Sequence, residues 1–286
     1  MSNVRNPFED YVLGNGAQEQ QRLKLQGRFL EKWTEQFLLS AGVEPGMSVL
    51  DLGGGMGDVS LLASRLVGTT GHVTAIDRDP VIINKARERT RDEERGATIE
   101  FIHAELLSFH AERSFDAVVG RYVLFFQPDP VAAIAHAAKQ VRPHGIIVFH
   151  EMDLANRIRS YPDGTLFERM WALVAQADLR GGVWIDLGLH LTRLFLDSGL
   201  PWPTIKAAVP VGGEPGSFIY RWLLRLFGRS CHASRSLAWQ APKNWNSIRW
   251  WREWRSKLST FKLSLSARFS LGLALEIPSL CFVRRG

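Results

Sequence analysis

"VLDLGGGMGD" occupies residues Val49–Asp58 and joins a strand-like apolar run to a helical pattern. Four of the five positions from 53 to 57 are glycine. Glycines in such a place leave the main chain open to a closely approaching ligand. The stretch therefore raises the question of which ligand the loop admits: a dinucleotide, a nucleoside triphosphate or something else.

Short apolar runs and helical patterns alternate around this loop. Strands are predicted at residues 48–53, His72–Asp77, Thr98–Ala104, Ser114–Gly120 and within Arg142–Asp153. Helices are predicted at Asp58–Val67, Asp79–Thr90 and Pro130–Val141. An aspartate before a proline indicates the start of each of the last two helices. The alternation is typical of right-handed βαβ units, so we expect an α/β fold in which helices cover both faces of a parallel sheet.

The remaining segments predict a four-part organisation. The parts are an N-terminal helical segment over the ligand site (1–42, helix at 18–40), a ligand-binding core (43–155), cap helices (156–200) and a C-terminal part (201–286). The cap helices are expected at Thr165–Leu179 and Asp186–Leu200. The C-terminal part is expected to hold strands at Pro203–Gly213 and Leu273–Arg285, a helix at Ser217–Phe227 and an atypical basic, tryptophan-rich segment.

The composition is ordinary for a soluble globular protein, with 45% hydrophobic and 22% charged residues in 286. The start of the chain lacks the pattern of a secretory signal, and no apolar run reaches the roughly 18 residues of a transmembrane helix. The two cysteines, Cys231 and Cys281, are too few for a disulfide framework or a metal cluster. These features predict a cytoplasmic protein without a bound metal.

The residues of the loop exclude two of the candidate ligands. A dinucleotide loop reads G-x-G-x-x-G, but Asp58 stands at the position of the third glycine. A carboxylate there would repel a pyrophosphate bound at the helix N-terminus. A nucleoside triphosphate loop needs a Lys-Ser/Thr pair after the glycines, and none follows. We therefore expect a ligand without phosphates.

Asp77 supplies a partner for a ribose. It lies 20 residues beyond Gly57 at the end of the second predicted strand, where a carboxylate can accept both ribose hydroxyls. A ribose without phosphate, close to the acidic Asp51, favours a nucleoside that carries a cation, such as S-adenosylmethionine with its ammonium and sulfonium groups. The alternative is that the glycines form only a tight turn and that Asp77 caps the following helix.

Five motifs carry a resemblance to a known family: "VLDLGGGMGD", "VTAIDRDP", "FIHAELLSF", "FDAVVGRYVLFFQPDP" and "VRPHGIIVFHE". In this order and spacing, over about Tyr11–Asp153, the chain resembles class I S-adenosylmethionine-dependent methyltransferases of the ubiquinone/menaquinone-biosynthesis type. The resemblance implies a Rossmann-like fold with a mostly parallel seven-stranded sheet, its last strand antiparallel, and helices on both faces. An N-terminal helical segment and cap helices would complete it.

The resemblance also implies positions that bind the donor. Tyr11 would fold over it, Asp77 would hold the ribose, and Arg78 would lie beside the adenine. The family usually has cysteine or serine where Gly54 stands, and aspartate where Ala104 stands, so Glu105 is the candidate substitute at the adenine. The full implied set is Tyr11, Asp51, Gly53, Gly55, Gly57, Asp77, Arg78, Ala104, Glu105, Leu106, Gly120 and Arg121.

Methyl transfer from a sulfonium is an in-line displacement that mainly needs positioning and exclusion of water. Where the nucleophile must lose a proton, His150 and Glu151 are the candidate catalytic residues, because they end the fifth strand; the alternative is that they are solvated loop residues. His136 and His144 are expected at the surface. Candidate residues of the acceptor pocket, with core or cap packing as the alternative, are Tyr122, Phe126, Phe167 and Trp171.

The charge of the chain is uneven. Residues 221–286 hold 13 lysines and arginines against two acidic residues, and six of the ten tryptophans. Three interpretations stay open for "RWWREWRSK" (249–257): contact with an anionic membrane surface, nucleic-acid binding, or no function, the last including a shifted reading frame across about 228–270. A nucleic-acid substrate is not expected, because "GRYVLF" (120–125) replaces the Asp/Asn/Ser-Pro-Pro-aromatic motif of amino-group DNA methyltransferases.

These observations predict an enzyme that moves a methyl group from S-adenosylmethionine to an O, N or C atom of a small organic molecule. Two alternatives stay open. The chain could bind the nucleoside without turnover, as a regulator or a degraded paralogue. It could instead be a nicotinamide-dependent oxidoreductase, which Asp58 opposes.

Overall fold

The computed structural model of the chain describes residues 17–91, 96–153, 159–161, 166–208, 211–212, 218, 222, 272–274 and 278–284. Tyr11, the side chain of Phe167 and the basic segment 228–270 lie outside the described residues. Among the described helices, none is both long enough and apolar enough to cross a bilayer.

Five parallel strands form the centre of the fold. They are β1 (Ser48–Leu52), β2 (His72–Asp77), β3 (Thr98–His103), β4 (Phe115–Arg121) and β5 (Val141–Met152). Their order across the sheet is β3-β2-β1-β4-β5, so the order reverses at β1 and β4. This confirms the predicted parallel sheet, and a reversal of strand order is the place where such sheets bind ligands.

The sheet continues past β5 with strands from the C-terminal part of the chain. Strand β10 (Pro278–Arg284) is antiparallel to β5, and its Pro278 pairs with Met152 at the very end of that strand. Strand β7 (Thr204–Ala207) pairs antiparallel with the other edge of β10. A separate small sheet joins β6 (Arg159–Tyr161), β8 (Val211–Gly212) and β9 (Gly272–Ala274).

Six described helices surround the larger sheet. They are α1 (Ala17–Ala41), α2 (Asp58–Val67), α3 (Pro80–Arg91), α4 (Pro130–Gln140), α5 (Leu166–Arg180) and α6 (Leu187–Asp197). The predicted aspartate caps are confirmed: Asp79 Oδ1 accepts from the Val81 amide at 2.8 Å, and Asp129 Oδ1 accepts from the Ala132 amide at 2.9 Å.

Alternation along the strands creates two hydrophobic layers. Val49 of β1 packs with Phe37 of α1 and Leu62 of α2 on one face of the sheet. Leu50 of β1 points to the opposite face and belongs to the cluster that contains Ile134 of α4. Because successive strand residues face opposite sides, helices are needed on both faces, as the sequence predicts.

One surface assignment is wrong. His136 of α4 is buried, with its Nε2 2.7 Å from the carbonyl oxygen of Phe109 and its ring 5.1 Å from that of His110. The α4 face that carries Ala133 and Ala137 is turned toward the sheet, and His136 lies beside it with a satisfied ring nitrogen. His144 is exposed, as expected.

Candidate functional site

A cleft opens at the carboxyl ends of β1, β2 and β4, where the strand order reverses. The loop after β1 forms its floor, and α1 lies along one side of it. Its far end reaches residues of α5. The loop, strand-end and α1 residues that line it include Arg22, Gln26, Gly53, Gly54, Gly55, Asp58, Asp77, Arg78, Ala104, Glu105, Leu106 and Arg121.

The glycine loop needs glycine at specific positions. Gly53, Gly55 and Gly57 have φ values of 63°, 52° and 80°, in the left-handed region that side chains disfavour. A Cβ on Gly53 would also lie 2.9 Å from Cγ2 of Val123. Hydrogen bonds from the Gly54 amide to the Ile76 carbonyl (2.9 Å) and from the Gly57 amide to the Gly54 carbonyl (2.8 Å) hold the loop in this form.

Asp77 holds the loop and the start of α3 together. Its Oδ2 accepts from the Gly55 amide and its Oδ1 from the Asp79 amide, both at 3.0 Å. Burial raises the pKa of Asp77, while these two amides act in the opposite direction. Each carboxylate oxygen has a second lone pair, so the side chain can still accept from a ligand in the cleft.

Asp58 begins α2 inside the cleft, between two arginines. Its Oδ1 accepts from Arg89 Nη2 at 2.8 Å, and its Oδ2 lies 3.9 Å from Arg121 Nη2. On its other side, Gly27 of α1 packs so closely that a Cβ there would overlap the Asp58 carboxylate. Asp58 is therefore the point at which the N-terminal helix rests on the site.

Thr34 of α1 connects that helix to Arg121 and His150. Its hydroxyl donates to the Leu30 carbonyl at 3.0 Å, which leaves its oxygen to accept from Arg121 Nη1 and from His150 Nδ1, each at 3.2 Å. Burial, together with the Arg121 guanidinium, lowers the pKa of His150 well below its usual value. The ring is therefore neutral and carries its proton on Nδ1. Its Nε2 is a buried acceptor for which no partner occurs among the described residues.

The two candidate catalytic residues lie in the interior. His150 and Glu151 are 1% and 0% exposed, and neither is among the residues that line the cleft. Glu151 Oε1 accepts from the amides of Val123 (3.0 Å) and Leu124 (2.9 Å), so this carboxyl holds the short turn that follows β4. Burial raises the pKa of Glu151 to about 8, so the folded protein carries it protonated at neutral pH.

The protonation of Glu151 makes stability depend on pH. Between its ordinary value of 4.5 and about 8 the folded state holds a proton that the unfolded state releases, so stability falls as pH rises through this window. Glu151→Gln keeps the acceptor for both amides and does not titrate. We expect the unfolding free energy of the variant, relative to wild type, to rise by up to about 1.4 kcal/mol per pH unit across this window. Urea unfolding at pH 5, 6, 7 and 8 measures it, and parallel curves would contradict the assignment.

Asp51 lies beneath the glycine loop and does not line the cleft. Its Oδ2 accepts from the Ser60 hydroxyl at 2.6 Å, and its buried Oδ1 has no hydrogen-bond partner in the part of the chain that the structure describes. Burial raises the pKa of Asp51 to about 7, while the Ser60 hydroxyl and the Arg121 guanidinium lower it. A Cβ on Gly54 would lie 3.4 Å from Asp51 Oδ2, so the small residue at this position leaves room above the carboxylate.

Backbone contacts order the side of the cleft that the resemblance assigns to adenine. The Ala104 amide donates to the Asp77 carbonyl at 3.0 Å, and His103 Nε2 lies 3.0 Å from the Arg78 carbonyl. These contacts join the ends of β2 and β3. As a result, Arg78, Ala104 and Glu105 line the same part of the cleft.

The opposite end of the cleft is aromatic. Trp171 and Trp222 both line it, and their rings are 5.8 Å apart and inclined by 29°. Tyr122 lines it at the end of β4 with a φ of 59°, a strained conformation for a residue with a side chain. Further apolar residues of this end are Phe125, Phe126, Met152, Val174 and Val183.

The structure brings most of the predicted site residues to this one cleft. Those that line it are Gly53, Gly55, Asp77, Arg78, Ala104, Glu105, Leu106, Arg121, Tyr122, Phe126 and Trp171. Those that do not are Asp51, Gly57, Gly120, His150 and Glu151. Gly120 has a packing reason to be glycine, since a Cβ would lie 2.8 Å from Val123 and 2.9 Å from Phe149.

Sequence reasoning missed several polar or aromatic cleft residues, among them Arg22, Gln26, Gln127, Asp178 and Trp222. Arg22 and Gln26 are four residues apart on α1, on the same face as Phe29, so helical periodicity could have grouped them. Trp222 lies in the C-terminal part of the chain, and its sequence context carries no signal that would place it at the cleft.

A sequence model described as a methyltransferase domain matches residues 43–178. These residues form a class I S-adenosylmethionine-dependent methyltransferase domain. The ubiquinone/menaquinone biosynthesis C-methyltransferase of Shewanella halifaxensis is 35% identical over 121 residues, 42% of this chain and 48% of its own. The demethylmenaquinone methyltransferase of Staphylococcus aureus (strain MRSA252) is 30% identical over 142 residues, 49% and 55% of the two chains. The chain thus spans about half the length of these curated relatives.

A solved structure shows that the methyltransferase fold extends beyond the matched domain. The phosphoethanolamine N-methyltransferase 2 of Haemonchus contortus, in complex with phosphomonomethylethanolamine and S-adenosylhomocysteine, aligns with a TM-score of 0.52 at 15% identity. The alignment covers 89% of this chain and 52% of that one. The arrangement of a methyltransferase sheet with helices on both faces is therefore shared.

Proposed function

We propose that this chain transfers a methyl group from S-adenosylmethionine to an O, N or C atom of a small organic molecule. The observation that carries the proposal is the continuity of the cleft, which runs from the glycine loop and Asp77 to the aromatic end at Trp171. A donor held at the loop and an acceptor held among the aromatic residues would meet near Arg121 and Tyr122. The nicotinamide alternative finds no support among the relatives and the structure described above.

The residues of the cleft fit the donor. Asp77 would accept the ribose hydroxyls, the region of Ala104 and Glu105 would border the adenine, and Arg121 would face the methionine end. Gly53 and Gly55 leave the main chain accessible beside it. Tyr11, the remaining member of the predicted set, would cover the donor from the N-terminal segment.

The methyl step needs little from acid or base groups. An electron pair of the acceptor, a lone pair on O or N or a π pair on carbon, forms a bond to the methyl carbon while the carbon–sulfur bond breaks. S-adenosylhomocysteine leaves, and an acceptor that became positively charged then loses a proton. Because His150 and Glu151 are buried outside the cleft lining, we propose that alignment of the two reactants and exclusion of water provide most of the acceleration. The relatives named as C-methyltransferases make a carbon atom the first acceptor to test.

We propose a separate role for each of the four predicted parts of the chain. Residues 1–42 cover the donor through α1, 43–155 bind it, 156–200 supply acceptor contacts such as Trp171, and 201–286 complete a seven-stranded sheet with an antiparallel last strand. Phe167 belongs with Tyr122, Phe126 and Trp171 as a proposed acceptor contact.

Calorimetry tests the donor assignment. We expect S-adenosylmethionine and S-adenosylhomocysteine to bind with micromolar or tighter affinity and NAD to give no heat. Binding of NAD without a response to either sulfur nucleoside would overturn the proposal. Turnover of labelled donor against phenols, quinols, amines and activated carbon acids then separates an enzyme from a protein that only binds the nucleoside.

A further inference from the structure

The far end of the cleft contains one polar side chain with a fixed orientation. Gln26 of α1 lines the cleft and is 9% exposed. Its Oε1 accepts from Arg22 Nη1 at 2.6 Å and from the indole nitrogen of Trp222 at 3.1 Å. Arginine and tryptophan nitrogens can only donate, so the amide oxygen must face them. The orientation of this amide therefore follows from its partners.

That orientation directs the Gln26 amide NH₂ group away from Arg22 and Trp222. Within the described part of the chain, no protein group accepts from this nitrogen, and it is not among the fully buried polar atoms, so it is open to the cleft that Gln26 lines. A ligand that covered this donor without accepting from it would remove its hydration without compensation, so the site favours a ligand atom that accepts from it. The group on the ligand must then be an oxygen or nitrogen lone pair.

The walls around Gln26 indicate the shape of that ligand. The rings of Phe29 and Phe218 are 4.2 Å apart at 15°, those of Phe218 and Trp222 are 6.3 Å apart at 25°, and Trp171 continues the series. This column of nearly parallel rings ends at the cleft with Trp171 and Trp222. A planar ring can extend such a column by offset stacking.

The amide nitrogen that Gln26 offers to a ligand is uncharged. The charged neighbour Arg22 donates through Nη1 to the amide oxygen, on the other side of the group. An uncharged carbonyl or ether-type oxygen needs only the neutral amide donor. Gln26 therefore orients the ligand through a hydrogen bond and does not require the ligand to be charged.

We propose that Gln26 determines acceptor specificity by donating a hydrogen bond to an uncharged oxygen on a planar aromatic molecule stacked against Trp171 and Trp222. The proposal rests on the proposed function only in treating this molecule as the methyl acceptor. The contact itself is a binding property, and binding alone can test it.

Three aromatic probes of similar size distinguish the contribution of the hydrogen bond to affinity from the contribution of stacking. The probes are 2-acetylnaphthalene, whose oxygen only accepts, 2-ethylnaphthalene, which has no oxygen, and 2-naphthol, which can also donate. On wild-type protein we expect the ketone to bind about 5- to 10-fold more tightly than the hydrocarbon, the effect of one hydrogen bond. Equal binding of these two rings, or binding of none of the three, would overturn the proposal.

The decisive variant is Gln26→Glu. Its carboxylate retains both acceptor contacts, to Arg22 and Trp222, while the group that faces the ligand changes from a neutral donor to a charged acceptor. We expect the ketone to lose at least about 10-fold in affinity, the hydrocarbon to be unchanged and 2-naphthol to be retained through its own O–H. Gln36→Glu, an exposed site on the same helix with the same charge change, should leave all three probes unaffected.

Each measurement is made with and without saturating S-adenosylhomocysteine, and unfolding temperatures are recorded for both variants. Failure of S-adenosylhomocysteine to bind wild-type protein would contradict the proposed function but would leave the comparison of rings intact. An unchanged preference for the ketone in Gln26→Glu would contradict the role of Gln26. If Gln26→Glu did not fold, the proposal would be tested by the wild-type affinities for the ketone and the hydrocarbon alone.

Discussion

Replacement of Asp77 by alanine is expected to lower the affinity for S-adenosylhomocysteine by about two orders of magnitude or more. Two charge-assisted hydrogen bonds to ribose hydroxyls, each contributing about 1.5–3 kcal/mol, correspond to at least a 100-fold change in Kd. The same carboxylate holds the Gly55 amide at 3.0 Å, so its loss also frees the glycine loop. Calorimetric titration of wild type and Asp77→Ala measures the difference.

A matched control separates binding from general damage to the fold. Asp129 is an exposed aspartate that accepts from an amide at the start of α4, outside the cleft. Asp129→Ala should cost about 1 kcal/mol of stability through loss of the cap and leave the donor affinity unchanged. An Asp77→Ala protein that bound S-adenosylhomocysteine within threefold of wild type would show that the ribose is held elsewhere.

Replacement of Gly27 by alanine is expected to weaken donor binding by about 10- to 30-fold, because the added methyl group would displace α1 from the cleft. The Cβ would overlap the Asp58 carboxylate, which cannot move aside easily because Arg89 Nη2 holds its Oδ1 at 2.8 Å. Arg89 is itself fixed by a 2.8 Å hydrogen bond to the Met56 carbonyl. Isothermal titration with S-adenosylhomocysteine and thermal unfolding give the two readouts.

The Gly27→Ala test is specific because the expected loss of stability is opposite in sign to the usual effect of this substitution. Glycine to alanine within a helix ordinarily stabilises a protein by about 0.5–1 kcal/mol. Ser40→Ala, at an exposed position of the same helix, is the control and should leave Kd unaltered. A Gly27→Ala protein with higher stability and normal affinity would mean that α1 does not rest on Asp58 when the donor is bound.

The parallel sheet and the glycine loop were predictable because their signals are local. Strand and helix periods alternate from Ser48 onward, and the left-handed conformation at Gly53 and Gly55 needs residues without a side chain. Asp77 was found by its distance along the chain from the loop, because the ends of adjacent parallel strands lie together.

The environment of the end of β5 was not predictable. The sequence predicts that His150 and Glu151 lie at the end of a strand beside the substrate, a position that is usually open to solvent. The structure pairs Leu280 with His150 and Ser279 with Glu151, so a strand from the far end of the chain covers this edge. Pairing over such a separation leaves no pattern near residue 150.

The role of α1 in the cleft was only partly predictable. Its amphipathic pattern shows that Gln26 shares a face with Phe29, but a pattern within one helix does not show which element that face meets. The contact between Gln26 and Trp222 spans 196 residues. Only the folded arrangement reveals that the N-terminal helix and Trp222 of the C-terminal part together shape the aromatic end of the cleft.

The insertion of β10 between β5 and β7 has a consequence for how the protein is made. Until residues 278–284 leave the ribosome, β5 exposes a row of unpaired main-chain groups along most of its length, and β7 has no neighbour in this sheet. Exposed edges of this kind promote association between chains. We therefore expect that a fragment ending at residue 178 would contain the matched methyltransferase domain but would be prone to aggregate through the open edge of β5.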